Sequence, residues 1–346
     1  MRHLIFFLLL PFLILPFCFA EDVWTLTVNP YADISWSDIH EHEGSFHNHT
    51  TQSDGKMDPA DVIDAYHALG HEVLALTDHN RSTWPWTAFG RDPKELNMIA
   101  IPGNELSTVP HTLSLFSELE TDTRDHEKAI QLVEQHDGLS ILAHPGRYWE
   151  LSEGKVPKAV IETYTHLFMT YPTLIGFEVI NQDRRYPKDR ALWDALLTEL
   201  MPERPVWGMA NDDSHKQKQI GLNTTVLLMT ESSEAAVKEA LRSGKMYFTS
   251  VTTHPQESRD RALTPVIKKI EFTPETQSLR IHSVSGGEPV PEEAYTWISA
   301  GGNEVHQGST LALNEVSGIE TYVRAEIRGE GGTSFTQPIG VSKTTP

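Results

Sequence analysis

Val73-Leu74-Ala75-Leu76-Thr77-Asp78-His79-Asn80 is a short apolar run that ends in a cluster of polar, titratable side chains. Four apolar residues suit a buried strand, and the abrupt change puts Asp78 and His79 where that strand emerges. The same handover recurs along the chain. Ile99-Ala100-Ile101-Pro102-Gly103 leads to Asn104-Glu105, Leu139-Ser140-Ile141-Leu142-Ala143 leads to His144-Pro145, and Pro205-Val206-Trp207-Gly208-Met209-Ala210 leads to Asp213-Ser214-His215. In His47-Asn48-His49 the two imidazoles are one residue apart, so on a strand they share a face. Strand ends on an α/β scaffold are where side chains from distant positions converge. Burying so many titratable groups without partners costs several kcal/mol each, so shared cations are the economical explanation.

From Gly44 onward, apolar runs alternate with amphipathic stretches, the signature of repeated strand-helix units. Strands are expected near 44–49, 73–78, 98–102, 112–116, 139–143, 174–180, 206–210 and 224–229. Helices are expected at 125–136, 156–170, 188–200 and 233–243, and another is opened by Asp58-Pro59-Ala60-Asp61. There Asp58 is the expected N-cap, Pro59 occupies the first turn, and Val62, Ile63, Tyr66 and Leu69 repeat at helical spacing before Gly70. The pattern predicts a barrel-like parallel sheet over 21–262, with functional groups at the strand C-termini. Beyond Gly244 the texture changes. Thr253 to Thr264 is polar and charged, and 267–272, 279–282, 295–298 and 321–327 read as half-buried strands separated by glycine turns. Residues 263–346 are therefore expected to form a small all-β sandwich with no catalytic cluster.

Arg2 precedes an apolar stretch from Leu4 to Phe19, which ends at Ala20 before Glu21-Asp22. A membrane helix needs roughly 20 apolar residues, and Pro11 and Pro16 interrupt this shorter run. Residues 1–20 thus read as a cleaved secretory signal, making the protein exported, periplasmic or extracellular, with no transmembrane span in the mature chain. Cys18 is the one cysteine, so cleavage leaves a chain without thiols, which suits an exported protein large enough to fold without disulfides. The formal charge of −20 argues against a stable nucleic-acid complex, because phosphate backbones are held by clustered Lys and Arg. Small anionic substrates stay open, since bound metal ions dominate the local field.

The ordered series His47-x-His49, Ser53-Asp54-Gly55, Thr77-Asp78-His79-Asn80, Gly103-Asn104-Glu105, Ala143-His144-Pro145 and Asp213-Ser214-His215 resembles the polymerase and histidinol phosphatase (PHP) superfamily of metal-dependent phosphoesterases. The resemblance covers about 44–250 and implies an α/β fold, a distorted (β/α)7 TIM-like barrel with two or three divalent ions. Carried over by motif, His47, His49, Glu105 and Asp213 hold the first ion. Glu105 bridges to a second, with His144 and His111, and Asp54, His79 and His215 complete a third. Histidine and carboxylate ligands without thiolate suit Zn, Mn or Fe.

The implied function is hydrolysis of a small phosphomonoester or phosphodiester through a metal-bridged hydroxide, with His79 or His215, where not fully committed to metal, protonating the leaving alkoxide. Arg147 either grips the phosphate or forms a surface salt bridge. Glu178 and Asn181 either meet substrate or act as hydrogen-bond partners, and Asp78 is expected to orient a metal-bound histidine. Substrate size depends on loops near 80–97, 145–156 and 182–190, where Trp84, Trp86, Tyr148 and Trp149 in the first two stack on a base or sugar, or pack. One alternative keeps the metals but cleaves an amide or lactone. Another is a surface binding protein, with the C-terminal domain attached to a glycan or protein and the barrel a relic. A relic should have lost ligands, and here no ligand position is missing.

Overall fold

The computed structural model describes residues 23–252 and 261–344. The expected signal at 1–20, most of the polar stretch 253–264 and His254 lie outside the described residues. Strand β1 (Val23–Val28) is followed by β2 (His40–Ser45), α1 (Pro59–Ala68), β3 (Val73–Ala75), β4 (Ile99–Ile101), β5 (Gly103–Leu106) and β6 (Thr112–Leu115). Next come α2 (His126–Gln135), β7 (Leu139–Leu142), α3 (Lys158–Thr170), β8 (Leu174–Asn181), α4 (Lys188–Leu200), β9 (Trp207–Asn211), β10 (Asn223–Met229), α5 (Glu234–Ser243) and β11 (Met246–Val251).

Two sheets carry the strand-end motifs, and both are mixed where an all-parallel sheet was expected. In one, β2, β3 and β4 are parallel, while β10 runs antiparallel between β2 and β11. In the other, β7, β8 and β9 are parallel, but β5, β6 and β7 pair antiparallel. The reason lies in the connections: a turn of residues 107–111 joins β5 to β6, too short for the crossover that parallel neighbours require. The chain passes from β4 to β5 through Pro102, and Thr225 Oγ1 donates to the Ala210 carbonyl where β10 meets β9. No continuous ladder closes the two sheets into a barrel among the described residues.

The helices bury the faces their spacing predicts. Val62, Ile63 and Tyr66 of α1 pack on Leu74 and Leu76, while Phe168, Leu192 and Trp193 of α3 and α4 pack on Phe177 of β8. Asp58 precedes α1 as expected, but its side chain does not cap the helix: it accepts from Thr51 Oγ1 at 2.6 Å instead. Trp86 is buried in the core around α1, so it packs. No helix among the described residues is long and apolar enough to cross a membrane.

The remaining strands are β12 (Val266–Thr273), β13 (Ser278–Ser285), β14 (Glu288–Pro289), β15 (Tyr295–Ser299), β16 (Asn303–Gln307), β17 (Thr310–Ala312), β18 (Tyr322–Arg328), β19 (Gly332–Thr336) and β20 (Ile339–Thr344). β12, β13, β14 and β17 form one sheet. Its Ile267, Ile270, Leu279 and Ile281 share a core with Trp297, Val323, Ala325 and Ile327 of the other. That second sheet continues from β11 through β19 and β18 to β20, so it is an extension of the first motif-bearing sheet. The assignment of 21–262 to one unit meets a difference here. β1 pairs antiparallel with β20, and Trp24 is buried in the sandwich core, so the start of the described chain belongs with its end.

Candidate metal centre

Backbone hydrogen bonds tie the strand-end loops into one rim. His49 N donates to the Ser214 carbonyl, Thr77 N to that of Asn48, and Asn80 N to that of Glu105, at 2.8, 2.8 and 2.9 Å. His144 and Asp213 have φ of +33° and +45°, a left-handed conformation that side chains rarely adopt. Such backbone costs about 1–3 kcal/mol and persists where the surroundings fix it, commonly at functional sites.

Inside this rim His47, His49 and Glu105 bring their ligand atoms together, and Asp213 lies against both imidazoles. His47 Nε2 lies 3.1 Å from His49 Nε2, both are 3.3 Å from Glu105 Oε2, and Asp213 Oδ1 is 3.5 Å from the first and 3.1 Å from the second. Ligand atoms on one ion with bonds of about 2.0–2.1 Å lie about 3.3 Å apart in a tetrahedral site, and the separations among His47, His49 and Glu105 match that spacing. A second group forms on the other oxygen of Glu105: His111 Nδ1 is 2.8 Å and His144 Nε2 3.2 Å from Oε1. In a third, Asp54 Oδ1 lies 3.3 Å from His215 Nε2 and 3.7 Å from His79 Nε2. His49 turns its Nδ1 toward that group, 3.8 Å from Asp54, so it stands between the first and third sets. All nine residues expected as ligands are therefore brought together.

The electrostatics ask for positive charge at the centre. Burial opposes protonation of His47, yet Glu178, Asp213 and Glu105 outweigh it and hold its pKa well above the usual imidazole range. His49 is raised to about 9 against the same burial, by Asp213 and Glu105. Burial also opposes ionisation of Glu105 and Asp213, but the surrounding imidazoles hold both below the ordinary carboxylate range. The bare site meets this demand with protons, and a divalent ion meets it while leaving the imidazoles neutral to bind. Residues and group fit.

Partners behind the ligands fix their orientation. Glu178, fully buried, lies 2.7 Å from His47 Nδ1 and accepts from the His144 amide, Asn181 Nδ2 and Asn211 Nδ2. It takes the hydrogen-bond role of the two considered. His215 Nδ1 donates to the Asp213 carbonyl at 2.9 Å, which leaves Nε2 as the lone pair facing Asp54. Asp78 does not orient a histidine. It accepts from Thr50 N, Thr50 Oγ1, Ser53 Oγ and Thr83 Oγ1, anchoring the loop that carries Asp54. Arg147 is exposed on the rim, beside Tyr148, whose ring centroid is 5.6 Å from that of His111. It forms no ion pair among the described residues.

Two neighbours were not anticipated. Gln182 Nε2 donates to Asp213 Oδ2 at 3.0 Å, and the Tyr186 ring centroid is 5.3 Å from that of His144. Both lie in the 182–190 loop after β8, a position that signals the site although neither residue type does.

No protein-family model and no curated protein matches the chain. Among solved structures, a two-domain protein from Bacteroides vulgatus containing a predicted PHP-like metal-dependent phosphoesterase matches with 14% identity. The match spans 89% of this chain and 97% of that one at a TM-score of 0.51. More distant are a proposed metal-dependent phosphoesterase from Bifidobacterium adolescentis (14% identity, 58% of this chain, 96% of that one, TM-score 0.41) and an amidohydrolase from Chromobacterium violaceum (16%, 50%, 87%, 0.39). At this identity the likeness to the Bacteroides protein is one of fold, over nearly the whole length of that chain.

Proposed function

We propose that this chain is a metal-dependent hydrolase of small phosphomonoesters or phosphodiesters, acting outside the cytoplasm. The observation that carries the reading is the buried cluster of His47, His49 and Glu105 with Asp213 against both imidazoles, at contacts of 3.1–3.5 Å, flanked by two further ligand groups that share Glu105 and His49. The two mixed sheets are read as a distorted (β/α)7 barrel with the sandwich as a second domain, and the apolar segment 4–19 supports export. His47, His49, Glu105 and Asp213 would hold one ion, Glu105, His111 and His144 a second, and Asp54, His79 and His215 a third. Bound divalent ions supply a Lewis acid that lowers the pKa of water and neutralises phosphoryl oxygens.

The protein's own groups do the rest. Arg147, exposed and without an ion-pair partner among the described residues, is placed to grip a phosphoryl oxygen at the mouth. The side chains of His79 and His215 are 27% exposed, whereas those of His47 and His49 are closed off, so whichever of the first two is not committed to the third ion would have access to a leaving oxygen and protonate it. Elemental analysis of the purified chain should find at least two ions, and a phosphoester panel should show turnover that His49→Ala or Asp213→Ala abolishes without unfolding the protein. Intact metal with no turnover on any phosphoester would move the assignment to an amide or lactone.

A further inference from the structure

A cleft of about 450 Å³ opens at the seam between the β8–α4 connection and the C-terminal sheet. Ligand pockets run from roughly 300 to 1,000 Å³, so it has room for a small organic group. Arg184 and Tyr186 line it from one side, Arg328 and Phe335 from the other.

The cleft adjoins the metal centre through two residues. Asn181 lines it and donates to Glu178, the carboxylate that holds His47. Tyr186 lines it and its ring lies tilted beside that of His144, with centroids 5.3 Å apart. Its charge also runs against the rest of the molecule. In a chain of net charge −20, the cleft gathers three guanidinium groups against one carboxylate, Glu326. That carboxylate is already paired with Arg190 and Arg324. Arg184 and Arg328 have no hydrogen-bond or ion-pair partner among the described residues, one from each side of the seam. Between them the walls are apolar or aromatic: Val179, Ile180, Pro187, Tyr186 and Phe335. A site with unpaired guanidinium groups over aromatic and aliphatic walls suits an organic anion rather than a neutral sugar.

We propose that this cleft is the subsite for the leaving group of the phosphoester, and that it selects an organic group bearing its own anionic substituent, held by Arg184 and Arg328. The inference rests on the phosphoesterase reading and gives the C-terminal unit a part in substrate selection. Its test is steady-state kinetics of the full, metal-loaded chain on phenyl phosphate and 4-carboxyphenyl phosphate. Comparing each variant with wild type on the same ester removes the intrinsic difference between leaving groups. Arg328→Ala and Arg184→Ala should each lower kcat/KM for the carboxylated ester about tenfold, mainly through KM, and leave phenyl phosphate within about twofold. Arg328→Lys should restore part of the loss. Equal losses on both esters, or none on either, would overturn the subsite while leaving the phosphoesterase reading intact. No hydrolysis of either ester by the wild type, with turnover elsewhere on the phosphoester panel, would overturn the subsite alone, and no turnover on any phosphoester would overturn that reading and the subsite with it. If Arg328→Ala does not fold, Arg184→Ala, in an exposed loop position, decides alone.

Discussion

Glu178 sets the tautomer of the most buried ligand. A carboxylate only accepts, so His47 Nδ1 must donate across the 2.7 Å contact, and His47 Nε2 is left as a lone pair facing Glu105 and Asp213. In Glu178→Gln an amide N–H competes for that contact and favours the wrong tautomer. Metal affinity should fall 10- to 100-fold by chelator competition, with the thermal transition retained. Wild-type affinity in that variant would remove Glu178 from the ligand system.

His126 makes a pH-dependent contribution to the apo fold. Burial pushes its pKa down to about 4, against the opposing pull of Asp125 and Glu127. A folded pKa below the unfolded value near 6.5 means the unfolded chain takes up the proton first, so stability is lost as pH falls from about 6.5 to 4. The loss is at most about 3 kcal/mol. Urea unfolding in the presence of a chelator should show this slope in wild type and a shallower one in His126→Gln; parallel slopes would sink the assignment. At this scale the sequence was legible for the clustering of the expected ligands, because most of the motifs follow a strand end and such ends converge. It was not legible for Asp78, whose hydroxyl partners Ser53 and Thr83 are ordinary residues brought near by the fold.

The helices could be placed from sequence because their information is local: apolar spacing, a first-turn proline at Pro59, a left-handed stop at Gly244. Strand direction is not local, and the antiparallel β5–β6 hairpin escaped a pattern that treated every strand as a crossover unit. The missed signal was the short connection between Glu105 and His111, which places both on one hairpin end, 2.8 Å apart. β9 illustrates how tightly such elements are fixed. A Cβ on Gly208 would sit 2.8 Å from the Trp193 and Val179 side chains and 2.9 Å from Phe248. Gly208→Ala should therefore cost about 1–3 kcal/mol by overpacking. Because β9 leads into Asp213, bound metal should decline with the midpoint of thermal unfolding. A variant with wild-type stability would mean that Trp193 has room to move, which the buried indole bonded to the Val206 carbonyl argues against.

The C-terminal unit was expected to be a separate sandwich, but its contacts make it part of the scaffold that holds the metal site. Gln337 donates to the Gly208 carbonyl and accepts from the Gly208 amide, at 2.7 and 2.9 Å, completing the edge of β9. Along β18 alternate residues divide their work: Val323, Ala325 and Ile327 enter the sandwich core, while Arg324 and Glu326 turn toward α4. Arg324, itself buried, binds Asp194 through Nε and Nη2 at 2.8 and 2.7 Å, and Arg190 reaches Glu326. Nothing in the local sequence of 337 or 324 announces these partners, which lie more than a hundred residues away. Truncation after Thr252 would strip Asp194 of its counter-charge, an imbalance worth about 3–5 kcal/mol for a buried pair. It would also unpair β11 from β19 and expose Phe248, which stacks on Phe335 at 4.9 Å. With a strand edge, an aromatic face and a buried carboxylate uncovered together, the truncated chain should be insoluble, or molten and metal-free. A soluble truncation that binds at least two ions and unfolds in one cooperative transition would show that the sandwich is an appendage, and would confine its role to substrate selection at the seam.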